Sequence, residues 1–85
     1  MNTGDDAVLF TLYGTSACHL CELAEEMLIA RRHDGIALEY TKVDISASDR
    51  LFDRYGLVIP VLRHPDGREL GWPFSAGQLA EFVES

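Results

Sequence analysis

From Ala7 to Tyr13 the chain reads Ala-Val-Leu-Phe-Thr-Leu-Tyr, an apolar, β-branched and aromatic run of the kind that forms a buried strand. Gly14-Thr15-Ser16 follows as a turn with helix-capping residues. The period then changes. Leu20, Leu23, Ala24, Met27 and Leu28 recur at i, i+3, i+4, i+7 and i+8, the stripe of a helix packed along one side. This predicts a helix from about Cys18 to Arg32, with Arg31 and Arg32 at the negative end of its dipole and Asp34-Gly35 as the stop. Ala37 to Asp44 carries strand-forming residues again. A strand, a helix and a second strand make a βαβ unit, whose strands are expected to be parallel.

In the second half, Ser46-Ala47-Ser48-Asp49 has the form of a capping box with Ser46 as N-cap. It predicts a short helix from about Ala47 to Tyr55 that buries Leu51, Phe52 and Tyr55 and ends at Gly56. Leu57 to His64 reads as an apolar strand interrupted by Pro60, Pro65-Asp66-Gly67 as a tight turn, and Arg68 to Gly71 as a short returning strand. These form an antiparallel hairpin. Phe74, Ser75, Gln78 and Leu79 then occupy N′, N-cap, N3 and N4 of a hydrophobic staple around a capping box. The closing helix, to about Val83, is expected to bury Leu79, Phe82 and Val83. The order is βαβαββα, an α/β chain with a four-stranded mixed sheet and helices on both faces.

Composition narrows the function. Eighty-five residues suit one domain, assigned to 7–85, after a short solvated tail over 1–6 that is expected to be disordered. Seven basic against fourteen acidic residues give a net charge of −7, with the cations scattered. That argues against nucleic acid and anionic membrane surfaces as partners. No apolar run is long enough to span a bilayer, and the first residues carry neither the basic nor the apolar region of a signal peptide. The expectation is a cytoplasmic protein, monomeric by default.

Its only two cysteines, Cys18 and Cys21, stand Cys-x-x-Cys where strand gives way to helix. A thiol at a helix N-terminus faces unpaired backbone N–H groups and the positive end of the dipole, which favour thiolate. Cys18 is therefore the expected nucleophile, and Cys21 is near enough to resolve a mixed disulfide. His19 adds positive charge when protonated, while Glu22, Glu25 and Glu26 oppose thiolate formation. Two other readings of the pair stand beside this one: structural thiols, or a zinc site completed by His19 with His33 or His64. No second Cys pair or His-x₃₋₅-His supports zinc, and Glu22 stands where haem attachment needs histidine. No metal is expected, and His33 and His64 read as ordinary surface residues.

Taken together, Cys-His-Leu-Cys-Glu at 18–22, Tyr-Gly-Leu-x-x-Pro-Val-Leu at 55–62 and Trp-Pro-Phe at 72–74 resemble small bacterial glutaredoxin-like proteins of the thioredoxin-fold superfamily. The resemblance covers about Val8 to Val83 and implies a three-layer α/β/α fold. It also implies a thiol–disulfide oxidoreductase, with Cys18 as nucleophile and Cys21 as resolving thiol, reducing protein or glutathione mixed disulfides. Pro60 falls at the place of the cis-proline facing the cysteines, and Ile59 before it would pair its backbone with an extended peptide or glutathione. His19 and Trp72 complete the implied substrate-binding set. The partners expected are disulfide-containing or glutathionylated proteins, with glutathione a candidate co-substrate and no other cofactor. Departures are specific: His19-Leu20 replaces the Pro-Tyr common in glutaredoxins, and no lysine precedes Cys18 to hold a glutathione carboxylate. Gly71-Trp72-Pro73-Phe74-Ser75 stands where Gly-Gly and an acidic residue usually hold the γ-glutamyl end. The alternative reading is a non-enzymatic peptide- or protein-binding module that uses the Ile59–Pro60 edge.

Overall fold

The first apolar run forms β1 (Val8–Gly14), which pairs in parallel with β2 (Leu38–Asp44), Val8 opposite Leu38 and Gly14 opposite Asp44. The helix joining them is α1 (His19–His33). These features belong to a computed structural model that describes residues 8–84; the expected tail over 1–6 lies outside the described residues. After β2 come a single 3-10 turn (Ile45–Ala47), α2 (Asp49–Tyr55), β3 (Val61–Arg63), β4 (Glu69–Gly71) and α3 (Ala76–Glu84). β3 runs antiparallel to both β1 and β4, so the sheet order is β2-β1-β3-β4. The mixed sheet and the order βαβαββα are those expected.

Strand alternation divides the core between the two faces of the sheet. Phe10 and Leu12 of β1 and Leu62 of β3 pack with Ala24 and Leu28 of α1 and Leu79 and Val83 of α3. Tyr13 and Val61, their neighbours in sequence, turn to the other face and pack with Ile45 and Tyr55. Tyr13 stacks on Tyr55 with ring centroids 4.3 Å apart, which fastens α2 beneath β1. The result is three layers, with α1 and α3 on one face and α2 on the other. Leu28 is fully buried, worth roughly 1.5–3 kcal/mol relative to an exposed leucine.

Local departures from the sequence pattern have identifiable causes. The buried side of α1 is Cys21, Ala24 and Leu28, and Leu20 is exposed. Cys21 packs against Gly14, which turns the residue before it outward. Ser48, not Ser46, caps α2, its Oγ accepting from Leu51 N–H at 3.3 Å. Ser46 belongs to the preceding turn, where its N–H and Oγ–H donate to the Asp44 carboxylate at 2.9 and 2.6 Å. Phe52 is exposed because α2 has only seven residues, and its inner side is taken by Tyr55 with Leu51 packed beside it. The third strand is shorter than its apolar run. Leu57 and Val58 are exposed, and the N–H groups of Val58 and Ile59 donate to the Tyr55 carbonyl, continuing the end of the helix. His64 is no surface residue: its side chain is only 13% exposed and meets Phe10 edge-on at 5.2 Å. The capping box of α3 forms as expected, Ser75 N–H donating to Gln78 Oε1 at 2.8 Å and Gln78 N–H to Ser75 Oγ at 3.0 Å.

Candidate active site

β1 ends at Gly14, and the chain crosses a four-residue loop before α1 begins. The residue that caps α1 is Cys18 itself, rather than Thr15 or Ser16. Its backbone is extended (φ −116°, ψ 104°), and its Sγ accepts the N–H of Cys21 at 3.0 Å. A cysteine in the N-cap place puts sulfur where Ser, Thr, Asp or Asn usually puts oxygen, among the orphan N–H groups of the first turn. That is where negative charge on sulfur is best stabilised. Cys18 and Cys21 are joined as a disulfide with Cα atoms 5.2 Å apart. Cys21 is buried at 8% exposure, and Cys18 is only partly covered.

Beside the disulfide lies a cleft of about 290 Å³, lined by Cys18 and Cys21, by Glu22 and Glu25 of α1, and by Lys42 and Asp44 of β2. Tyr40 Oη–H donates to Glu25 Oε2 at 2.6 Å, and Lys42 Nζ donates to Glu25 Oε1 at 3.2 Å. The Tyr40 hydrogen bond, helped by Lys42, holds the Glu25 carboxyl below the usual carboxylate range. In turn, burial and then the Glu25 hydrogen bond push the Tyr40 phenol up to about 12. The Ser46 hydroxyl and N–H hold Asp44 low in the same way. Both carboxylates are therefore ionised at neutral pH.

Lys42 and Asp44 were not singled out in the sequence, and Glu25 stood there only as a charge opposing thiolate formation. The signal was there: Cys21 and Glu25 are i, i+4 on one helix, and two parallel strands end at the same edge of a sheet. The remaining expected site residues take different places. Ile59–Pro60 is cis, and Pro60 is buried. Tyr13 pairs with Val61, so Pro60 is next in line with Gly14, at the end of the sheet that carries the cysteines. Its carbonyl accepts Trp72 N–H at 3.1 Å. Ile59 N–H donates to the Tyr55 carbonyl at 3.2 Å, so half of the peptide pairing expected there is already committed. Trp72 packs edge-on to Phe74 at 5.1 Å and against the core, and its bond to Pro73 is a second cis peptide. Ile59, Pro60 and Trp72 thus flank β1 on the β3–β4 side, whereas the cleft opens on the β2 side. His19 is exposed, its Nδ1 4.0 Å from Glu22 Oε1. The histidines weighed with the cysteines as a zinc set do not join them, since His33 ends α1 and His64 packs on Phe10 and Phe82.

Comparison with known proteins agrees with this geometry. The glutaredoxin-like domain family (DUF836) matches residues 9–84. The X-ray structure of protein XcR50 from X. campestris is 43% identical, superposes with a TM-score of 0.79, and the match covers 88% of this chain and 95% of that one. Protein Ne2328 from Nitrosomonas europaea is 22% identical with a TM-score of 0.79 over 98% of this chain and 99% of its own. Oxidised mitochondrial thioredoxin 3 from Saccharomyces cerevisiae shares the fold alone, at 15% identity and a TM-score of 0.62 over 91% of this chain and 76% of that one. No protein of curated function matches the chain in sequence. A thioredoxin-like fold, a Cys-x-x-Cys disulfide at a helix start and a family match over nearly its whole length make this chain a member of the glutaredoxin-like domain family.

Proposed function

We propose that this protein is a thiol–disulfide oxidoreductase that uses Cys18 to attack and Cys21 to resolve. The observation that carries the reading is the hydrogen bond from Cys21 N–H to Cys18 Sγ, made while Cys21 itself is buried. It gives the partly exposed sulfur a charge-stabilising donor and keeps the second sulfur from outside attack. In the reduced protein, Cys18 thiolate attacks one sulfur of a substrate disulfide, and the other leaves as a thiolate that takes up a proton. Cys21 then loses its proton and attacks Cys18 Sγ of the mixed disulfide. The second substrate thiol is released, and the Cys18–Cys21 bond closes. Two electrons and two protons pass to the substrate, and a dithiol or glutathione reductant returns them to the protein. A cytoplasmic setting fits such a cycle.

The test is reduction of a small disulfide and of a protein disulfide by wild type, Cys18→Ser and Cys21→Ser. The expected result is an inert Cys18→Ser and a Cys21→Ser that accumulates a mixed disulfide detectable by mass. An active Cys18→Ser reverses the assigned roles. A wild type that reduces nothing removes the oxidoreductase reading and leaves a binding module.

A further inference from the structure

Which disulfides the protein accepts is set by what surrounds Cys18. Resting on the oxidoreductase reading, we propose that its substrate is a cationic polypeptide, a cystine flanked by lysine or arginine and an apolar residue. Glutathione-type disulfides, which carry carboxylates, are disfavoured at the same site.

Three observations converge on this. The cleft beside the disulfide presents Glu22, Glu25 and Asp44 against a single cation, Lys42, whose ammonium lies 3.2 Å from Glu25. The excess negative charge lies within reach of an incoming substrate, and the chain's net charge of −7 extends the same field outward. Each half of glutathione disulfide carries two carboxylates against one ammonium, so it approaches against that field. A basic segment approaches with it.

The second observation concerns the opposite flank. Leu57 is fully exposed and Val58 about half so, both just before the buried Pro60, which stands at the same end of the sheet as the cysteines. Leu20, between the two cysteines, is exposed as well. Exposed apolar side chains beside Cys21 and just ahead of Pro60 match a polypeptide that buries side chains of its own beside its cystine. The third observation is the Ile59 N–H, which is committed to Tyr55. Backbone pairing there is weakened as the means of recognition, and side-chain charge and apolar contact are left to discriminate.

The experiment is a single-turnover comparison. Pre-reduced wild type is mixed with a cystine-bridged peptide flanked by lysines, with its glutamate-flanked counterpart and with glutathione disulfide. Each rate is divided by that of 2-mercaptoethanol on the same disulfide, to remove intrinsic reactivity. At low salt the lysine peptide is expected to react about tenfold or more faster than the other two, within the range of electrostatic steering. That advantage should shrink severalfold near 1 M salt, where screening acts over about 3 Å. Glu22→Gln with Asp44→Asn, which keeps a residue able to cap at position 44, should cut the lysine-over-glutamate ratio about threefold or more. Equal rates for the three disulfides, or a ratio unmoved by salt and by both substitutions, overturn the proposal while Cys18-dependent reduction keeps the oxidoreductase reading. Reduction of none of them overturns both.

Discussion

Gly14 lies so close to Cys21 that a β-carbon built on it would stand 2.8 Å from the cysteine Sγ and 3.1 Å from its Cβ. The last residue of β1 thereby serves as the seat on which the resolving cysteine rests. Both partners are buried, and the sulfur is tied back to Cys18, so it has little freedom to move aside. Gly14→Ala should cost about 1–3 kcal/mol in the oxidised protein, the usual range for overpacking a well-filled site. Urea unfolding of oxidised wild type and variant measures it. A loss below about 0.5 kcal/mol, typical of harmless surface changes, would show that Cys21 can shift without cost.

The two serines near α2 separate a real cap from an apparent one. Ser48 Oγ accepts the Leu51 N–H of the helix, while Ser46 Oγ only donates to Asp44 in the turn before it. Ser48→Ala should cost about 1 kcal/mol, the common value for losing an N-cap. Ser46→Ala should cost less, because its exposed hydroxyl can be replaced by water. Thermal unfolding of the two variants side by side decides it, and an equal loss would mean that the first serine caps as well.

That pair also shows where the sequence was ambiguous. Ser46-Ala47-Ser48-Asp49 offers two serines three residues or fewer from the same helix, and local pattern cannot choose between them. Asp44 decides, by capturing Ser46 into a 3-10 turn and starting the helix two residues later. By contrast, the Phe74–Leu79 staple was legible because Ser, Gln and two apolar residues fit one register only. The parallel pairing of β1 with β2 and the antiparallel hairpin of β3 with β4 were legible, whereas the place of β3 beside β1 was not. Cys18 and Cys21 were legible from spacing and context, yet the acidic cleft beside them was not. Its members come from α1 and from β2, and only the parallel register that sets Gly14 opposite Asp44 brings them together. Leu57 and Val58 misled for the opposite reason. Their apolar character fits a strand, but the helix end holds the N–H of Val58, and the cis proline follows.

Alkali should unfold the protein through its phenols. Tyr40 is raised to about 12 by burial and by its hydrogen bond to Glu25, and Tyr55 is raised by burial and by Glu69. A folded value above the unfolded value of about 10 means that this stabilisation is complete below about pH 10 and is lost as pH climbs through the folded value. For Tyr40 the loss is on the order of 1 kcal/mol after allowance for solvent screening. Urea midpoints followed from about pH 9 to about pH 12 should therefore fall more steeply for wild type than for Tyr40→Phe, which has no phenol to ionise at position 40 and keeps only the Tyr55 contribution. Parallel slopes would mean that the Tyr40–Glu25 hydrogen bond contributes no pH dependence.

Cys18 has two duties, and substitution can part them. As nucleophile it needs sulfur; as N-cap of α1 it needs only an acceptor for the Cys21 N–H. Serine supplies an acceptor of the preferred kind, and alanine supplies none. Cys18→Ser and Cys18→Ala should therefore be equally inert toward disulfides. Compared with reduced wild type, however, serine should hold stability within about 0.5 kcal/mol while alanine loses about 1 kcal/mol more. Thermal unfolding in the presence of reductant removes the disulfide from the comparison. If serine and alanine melt together, the sulfur does not cap the reduced helix, and its 3.0 Å contact belongs to the oxidised form alone. In that case the preorganisation assigned to Cys18 would have to come from the helix dipole without the hydrogen bond, and a weaker nucleophile would follow.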